Sequence, residues 1–595
     1  MGALLDVVDV EQIEVLRGPQ GTLFGRNTSG GAIRYVTAKP EPEFGGKFIG
    51  AIGSYDRRDV TGIVNIPLTD ELSSRFTVAS KSRDGFIRRQ IDGIKTGNSE
   101  ITAARAQLRW QTDDWDVNLA TDVLETKNDG VARVIPRRDP THIYPNLLGD
   151  PTYSRAVTGD KYTVEGGDKP DYANVESFGI TLTAEHNLNE NWSIKSLTGF
   201  RDNESSAYQD WDLSTYNLYQ TQQDTEFSNW SQEFQFNGSL FDGRLELVSG
   251  LFYMVEEAEF TNLRLNPGVP NGALVEFIDL ETTSKAIYGQ GTFKATDRLS
   301  FTLGLRWSED EKDFYSAYGP LVGENNESWS SVTPRLGTEF QINDDVMVYL
   351  SAAKGFKSGG MNNRPQANIP NNGILPYDPE ELWTYEAGFR SELADGRVRF
   401  NATYFHTKYE DIQTTAPRVV NGVPVQFTEN AASATMEGIE FELTALLTDR
   451  LTLRAGGGWI DASYDDLGGA TTLNKDTPFQ RTPEYSYNIG FSYDQPLASG
   501  AQLSMNLDWG WKDKQFNNDS AVNGFYLPSY GLLNGRIAYE PASGKWELAL
   551  VGTNLTDKYY KVTGFGGNPA ETFFGFEQAD IGRPREVGVE LTVHF

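Results

Sequence analysis

The sequence predicts an all-β protein, a transmembrane antiparallel β-barrel of about 22 strands. Three observations predict it. From roughly Gly45 to Phe595, runs of residues alternate apolar and polar side chains. The connections between runs are short on one side and long on the other. The number of runs is even, which returns the C-terminus to the short-turn side, as a closed antiparallel barrel requires.

The alternation is explicit. Val587, Val589, Leu591, Val593 and Phe595 oppose Glu586, Glu590, Thr592 and His594. Leu299, Phe301, Leu303, Leu305 and Trp307 oppose Ser300, Thr302, Gly304, Arg306 and Ser308. Ile439, Phe441, Leu443 and Ala445 oppose Gly438, Glu440, Glu442 and Thr444. A period of two with one apolar face describes a sheet wetted on one side only, which a soluble sandwich also satisfies.

The connections discriminate between the two. Ten short turns carry Asp, Asn or Ser-Gly chemistry suited to tight reversal, among them Thr69-Asp70-Glu71, Thr112-Asp113-Asp114, Asn189-Glu190-Asn191, Phe241-Asp242-Gly243, Thr296-Asp297-Arg298 and Ala394-Asp395-Gly396. Between them lie long stretches read as loops, at about 85–100, 127–175, 206–225, 259–282, 313–329, 356–382, 411–433, 464–483, 516–529 and 556–583. Ordinary domains rarely carry so many long loops. Short turns on one rim and long loops on the other are what a membrane barrel shows, and closure removes the edges that lipid would not tolerate. Trp110, Trp115, Trp192 and Trp546 stand beside the short turns, where an interfacial aromatic girdle is expected.

Composition agrees. The chain has 595 residues, a formal charge of -31, 12% aromatic residues and no cysteine. No run of 18 apolar residues occurs, which excludes transmembrane helices and leaves strands of about 9–11 residues as the spanning element. The acidity argues against a nucleic-acid partner. Without cysteine there is neither a disulfide framework nor a thiolate metal site. The start, Met1-Gly2-Ala3-Leu4-Leu5-Asp6, lacks the basic flank and apolar core of a signal peptide, so any export signal is expected upstream.

Residues 9–40 follow a different pattern. A short strand with Ile13 and Val15 meets a Gly-Pro turn, then a Gly-rich stretch leads into a second strand at 32–37. The stretch lacks the Gly-Lys-Ser/Thr ending of a phosphate loop. The run Ile13-Glu14-Val15-Leu16-Arg17-Gly18-Pro19-Gln20-Gly21-Thr22-Leu23-Phe24-Gly25-Arg26-Asn27-Thr28-Ser29-Gly30-Gly31-Ala32-Ile33 closely resembles the end of the plug domain of TonB-dependent receptors. Gly552-Thr553-Asn554-Leu555-Thr556-Asp557-Lys558-Tyr559-Tyr560, the Gly582-Arg583-Pro584-Arg585 lead into the last run, and the terminal Phe595 are also similar to that family.

The resemblance implies residues 1–44 as the C-terminal part of a plug and residues 45–595 as the receptor barrel. It implies Arg17, Gly18, Pro19, Gly21, Gly25, Gly30 and Gly31 as the plug motif, and Phe595 as an assembly signal read by the barrel-assembly machinery. Implied partners are the TonB complex, a ferric siderophore or similar small-molecule cargo, and outer-membrane lipid and lipopolysaccharide around a monomeric barrel. Implied too is an N-terminal coupling segment and a longer plug preceding Met1. The expected function is uptake of a scarce, bulky nutrient, with an iron–siderophore complex first, other cargo (carbohydrate, cobalamin, another metal chelate) second, and passive diffusion third.

Parity sharpens the site. In the run 383–389, Trp383, Tyr385, Ala387 and Phe389 face lipid, so Glu386 faces the lumen; Glu440 does so by the same argument. Family members resemble an arrangement in which a plug arginine is held by two such carboxylates. Arg17 is therefore expected to bridge Glu386 and Glu440 as a plug–barrel latch, against the simpler alternative that both line a wet lumen. Tyr208, Trp211, Tyr216 and Tyr219 form an aromatic cluster that could stack on a flat ligand or pack the loop. His142, His186, His406 and His594 lack ligand spacing, so no bound metal is expected. Glu256-Glu257 and Asp465-Asp466 say little in a chain with 83 acids, and no Ser–His–Asp order points to an enzyme.

Overall fold

A computed structural model of the chain describes residues 8–138, 161–215, 219–265, 273–365, 373–420, 423–467, 473–517, 524–566 and 575–595. Tyr216 and His142 lie outside the described residues. Twenty-two antiparallel strands form one closed barrel. The first, Gly45–Gly53, pairs with the last, Glu586–His594, from Lys47↔His594 to Gly53↔Gly588. Phe595 locks the seam: its N–H donates to the Gly46 carbonyl (3.1 Å) and its own carbonyl accepts from the Gly46 N–H (2.9 Å).

The barrel is apolar outside and polar within, as alternation requires. Phe301, Leu303, Leu305 and Trp307 are exposed on the outer face, while Arg306, Ser308 and the facing Thr333 are buried inside. The short turns are built on side-chain caps. Thr69, Thr296 and Thr448 each accept, on the hydroxyl oxygen, the N–H groups two and three residues on, and Thr112 accepts the one three on. Asn189 and Asn343 each accept, on Oδ1, the N–H two residues on. These local bonds satisfy the reversal without ladder partners.

Three stretches expected as loops are instead tall hairpins. Strands Leu299–Tyr318 and Leu321–Asn343 meet in a two-residue turn. Strands Val398–Val420 and Val423–Thr448 also run through the expected loop, and Leu245–Leu265 and Ala273–Lys294 cover most of theirs. The reason is chemical. Above the apolar band the outward positions become charged while pairing continues. Glu125, Glu176, Glu204, Glu226, Glu259 and Asp279 stand directly opposite one another on six successive strands. Opposed like charges weaken a ladder and are eased by salt.

Other long connections fold into a roof. Arg133–Arg138 pairs with Phe576–Ile581, and Ile87–Arg89 with Lys95–Thr96 and Thr163–Val164. Phe86, Ile87, Val134, Ile135, Leu213, Phe525, Leu527 and Phe576 bury against one another there, joining loops from both ends of the chain over one side of the mouth.

Candidate functional site

The N-terminal segment lies inside the lumen. Strand β1 (Val10–Arg17) pairs antiparallel with β2 (Gly31–Thr37), and between them a single helical turn, α1 (Gly21–Phe24), packs against strands Ala273–Lys294, Leu299–Tyr318, Leu321–Asn343 and Val346–Lys357. Thr22 is buried, donating its hydroxyl to the Thr333 carbonyl at 3.0 Å. Three glycines of the motif, Gly18, Gly25 and Gly31, have positive φ. Gly18 (φ 68°) leaves a Cβ only 2.9 Å from Glu386 Oε1, and Gly25 (φ 81°) only 2.8 Å from the Arg306 guanidinium. Gly21 is held as closely by Thr333 and the Lys354 carbonyl, Pro19 abuts Gly355, and Gly31 crosses the Leu16 carbonyl. Around Gly30 there is open space.

Arg17 reaches Glu440 at 3.2 Å and Glu442 at 3.0 Å. The expected second partner, Glu386, is not one: it accepts from Ser351 at 3.1 Å and stands beside Gly18. The geometry explains the exchange. Glu440 and Glu442 share one strand and one face, about 7 Å apart, whereas Glu386 lies two strands away, about 9–10 Å across the sheet. One guanidinium fork spans the nearer pair. Arg17, Glu440 and Glu442 are 52%, 35% and 55% exposed, so this is a wet bridge, of the kind worth about 0–1 kcal/mol.

Stronger ties stand elsewhere. Asp9 is 2% exposed and takes both Arg75 nitrogens, at 2.6 and 2.8 Å, with the Thr77 hydroxyl at 3.0 Å. Burial pushes the Asp9 carboxyl up, but Arg75 and Thr77 outweigh it and hold the group below the usual carboxylate range. Lys39 pairs with Asp116 at 3.1 Å, and Asn65 binds the backbone of Glu41 and Glu43. Nearer the mouth, Arg26 faces Glu256 (3.5 Å) and Asp310 (3.6 Å). Glu256, one of the adjacent acids that carried no meaning in the sequence, is thus an inward-facing partner. Parity could have found it and Asp310. Asp9 offered no such signal.

The aromatic cluster sits in the roof. Tyr208 is buried and stacks with Tyr172 at 6.2 Å. Trp211 lies 6.1 Å from both Tyr219 and Phe565, under the Arg133 guanidinium at 4.8 Å, with its indole N–H on Thr221.

A model of the TonB dependent receptor-like beta-barrel family matches residues 114–555. A metal-pseudopaline receptor, CntO, of Pseudomonas aeruginosa (strain UCBPP-PA14) is 24% identical over 99% of this chain and 81% of its own length. The pesticin receptor of Yersinia pestis is 23% identical over 99% and 82%. Among solved structures, the ferric yersiniabactin uptake receptor FyuA from Yersinia pestis superimposes with a TM-score of 0.83 at 20% identity, covering 99% of this chain and 85% of that one. With the barrel count, the lumenal segment and a match over most of the strands, the chain belongs to the TonB-dependent receptor-like β-barrel family.

Proposed function

We propose that the chain is the body of an outer-membrane receptor that takes up a metal chelate, an iron–siderophore complex first, under drive from TonB. Residues 1–44 then form the last part of the plug and 45–595 the barrel, standing as a monomer in lipid and lipopolysaccharide. The observation that carries this reading is the lumenal segment. A diffusion pore is served by an open lumen, whereas here polar ties at Asp9, Arg17, Arg26 and Lys39 fasten a structured segment across it. Relatives named for metal–pseudopaline and ferric yersiniabactin support the cargo class.

Arg17 with Glu440 and Glu442 serves in this reading as a readily opened plug contact. Phe595, paired to the first strand at Gly46, is the end that the assembly machinery closes on. Tyr208, Trp211 and Tyr219 hold the roof as packed, so cargo contact through them follows opening of the roof.

The test is uptake by a strain whose only such receptor is the full-length protein. Growth on ferric chelates under iron limitation, lost when TonB is removed, is the expected result. Uptake that persists without TonB, with steady single-channel conductance of the purified protein, would assign passive diffusion instead.

A further inference from the structure

We propose that Arg26 is the latch at the apex of the lumenal segment, and that its release, rather than that of Arg17, lets the 18–28 loop leave the barrel wall. The inference goes beyond uptake and needs no cargo to be tested.

Burial separates the two arginines. Arg17 and both its partners are between about a third and just over a half exposed, and water competes for each. The Arg26 side chain is 16% exposed, Glu256 26% and Asp310 1%. Removing the Arg26 guanidinium strips two shielded carboxylates of the cation they share and leaves Lys312 as the neighbouring positive charge. Losing one partner of a buried pair costs far more than losing an exposed one, because the survivor stays desolvated.

The tie is reciprocal. While Arg26 reaches from the segment into the wall, Arg306 reaches from the wall to the segment. Arg306 is buried, stacked near the faces of Tyr288 (5.2 Å) and Phe252 (5.6 Å), and bonded to Ser308. It points an N–H toward the Leu23 carbonyl at 3.5 Å, at the C-terminal end of α1. Gly25 is what allows that approach. Thr28 closes the loop behind it, its hydroxyl on the Gly25 carbonyl at 2.7 Å.

The latch also touches the mouth. Lys312, two residues beyond Asp310 on the same inward row, donates to the Gly359 carbonyl at 2.5 Å. Asn27, next to Arg26, donates its N–H to the Phe356 carbonyl (3.1 Å) and accepts the Ser358 N–H on Oδ1 (3.2 Å). Gln413 holds the Ser358 carbonyl from the neighbouring wall. Displacing the 356–360 stretch from outside therefore strains both sides of the Arg26 site at once. The ties at Asp9 and Lys39 share none of these residues and act as the base about which the apex moves.

The chain has no cysteine, so a single introduced thiol is a clean reporter. Thr22→Cys places it on the face of the loop that meets the wall, where the native residue is 3% exposed. The rate of maleimide labelling is measured on full-length protein, counting only barrels that migrate as folded on unheated gels. Arg26→Gln is expected to speed labelling at least about tenfold, and Glu256→Gln/Asp310→Asn, which opens the same tie from the wall, should match it. Arg17→Gln should stay under about fivefold. Labelling in Arg17→Gln as fast as in Arg26→Gln, or the wall double variant at the unmodified rate, overturns the proposal.

Discussion

Arg75→Ala is expected to weaken the hold on the base of the lumenal segment by about 3–5 kcal/mol, the range for breaking a buried pair from one side. The wall loses a bidentate donor and the Asp9 side chain, 2% exposed, keeps a charge with the Thr77 hydroxyl as its remaining side-chain donor. Hydrogen-exchange protection of β1 and β2 reads the loss directly. Asp9→Asn should cost less, since it leaves no buried charge on the segment side. Acid should mimic the loss. Because the folded-state carboxyl lies below its usual range, its contribution is present above the unfolded value of about 3.9 and fades as pH falls through the folded one. Protection of β1 that is unchanged at pH 3 would contradict this account of the base.

Asp210→Asn is expected to act in the opposite sense, stabilising the roof at alkaline pH. Asp210, Asp212 and Asp171 are all buried above the apolar band, where Asp171 takes the Asp210 N–H at 2.8 Å. Burial first, then the charges of Asp212 and Asp171, push the Asp210 carboxyl up to about 9. Burial pushes Asp171 up to about 6 against the pull of the Asp210 N–H, Arg133 and Arg89. A raised acid favours the protonated fold, so the roof loses stability as pH climbs from about 4 toward each of these values, at up to about 1.4 kcal/mol per pH unit for each group. Above pH 6 the slope belongs to Asp210. An asparagine, neutral at every pH and still able to donate to Asp212, should flatten it. Exchange protection at 205–214, compared between pH 6.5 and 9.5, checks this; an equally steep fall in the variant would contradict it.

The barrel was legible because its physics is local and repeated. Each run between Gly45 and Phe595 announces its face by parity, and each Thr-Asp or Asn turn announces its reversal. Where the reading went astray, the cue had stopped but the pairing had not. Glu309, Glu311 and Asp313 belong to a continuous strand whose outward face merely turns polar, and apolar alternation cannot see past that point. The roof was illegible for another reason. Val134 meets Ala579 only because two distant loops fold together, and no window of sequence contains both.

The lumenal site was half legible. Parity put Glu386 and Glu440 in the lumen, but selecting Arg17's second partner required knowing that Glu442 stands nearer than a carboxylate two strands away. Arg26 lay in full view within the motif. Its partners, Glu256 and Asp310, occupy inward positions that parity identifies; their depth in the barrel, which decides the strength of the tie, is set by strand stagger.

All of this depends on a closed sheet with lipid on one side and a filled lumen on the other. A cysteine scan from 299 to 308 in protein reconstituted into bilayers, each site carrying a nitroxide, measures that most directly. Collisions with oxygen dissolved in lipid should peak at 299, 301, 303, 305 and 307, with 300, 302, 304, 306 and 308 shielded from it. Equal access along the whole run, or peaks at the even positions, would contradict the fold and everything placed inside it.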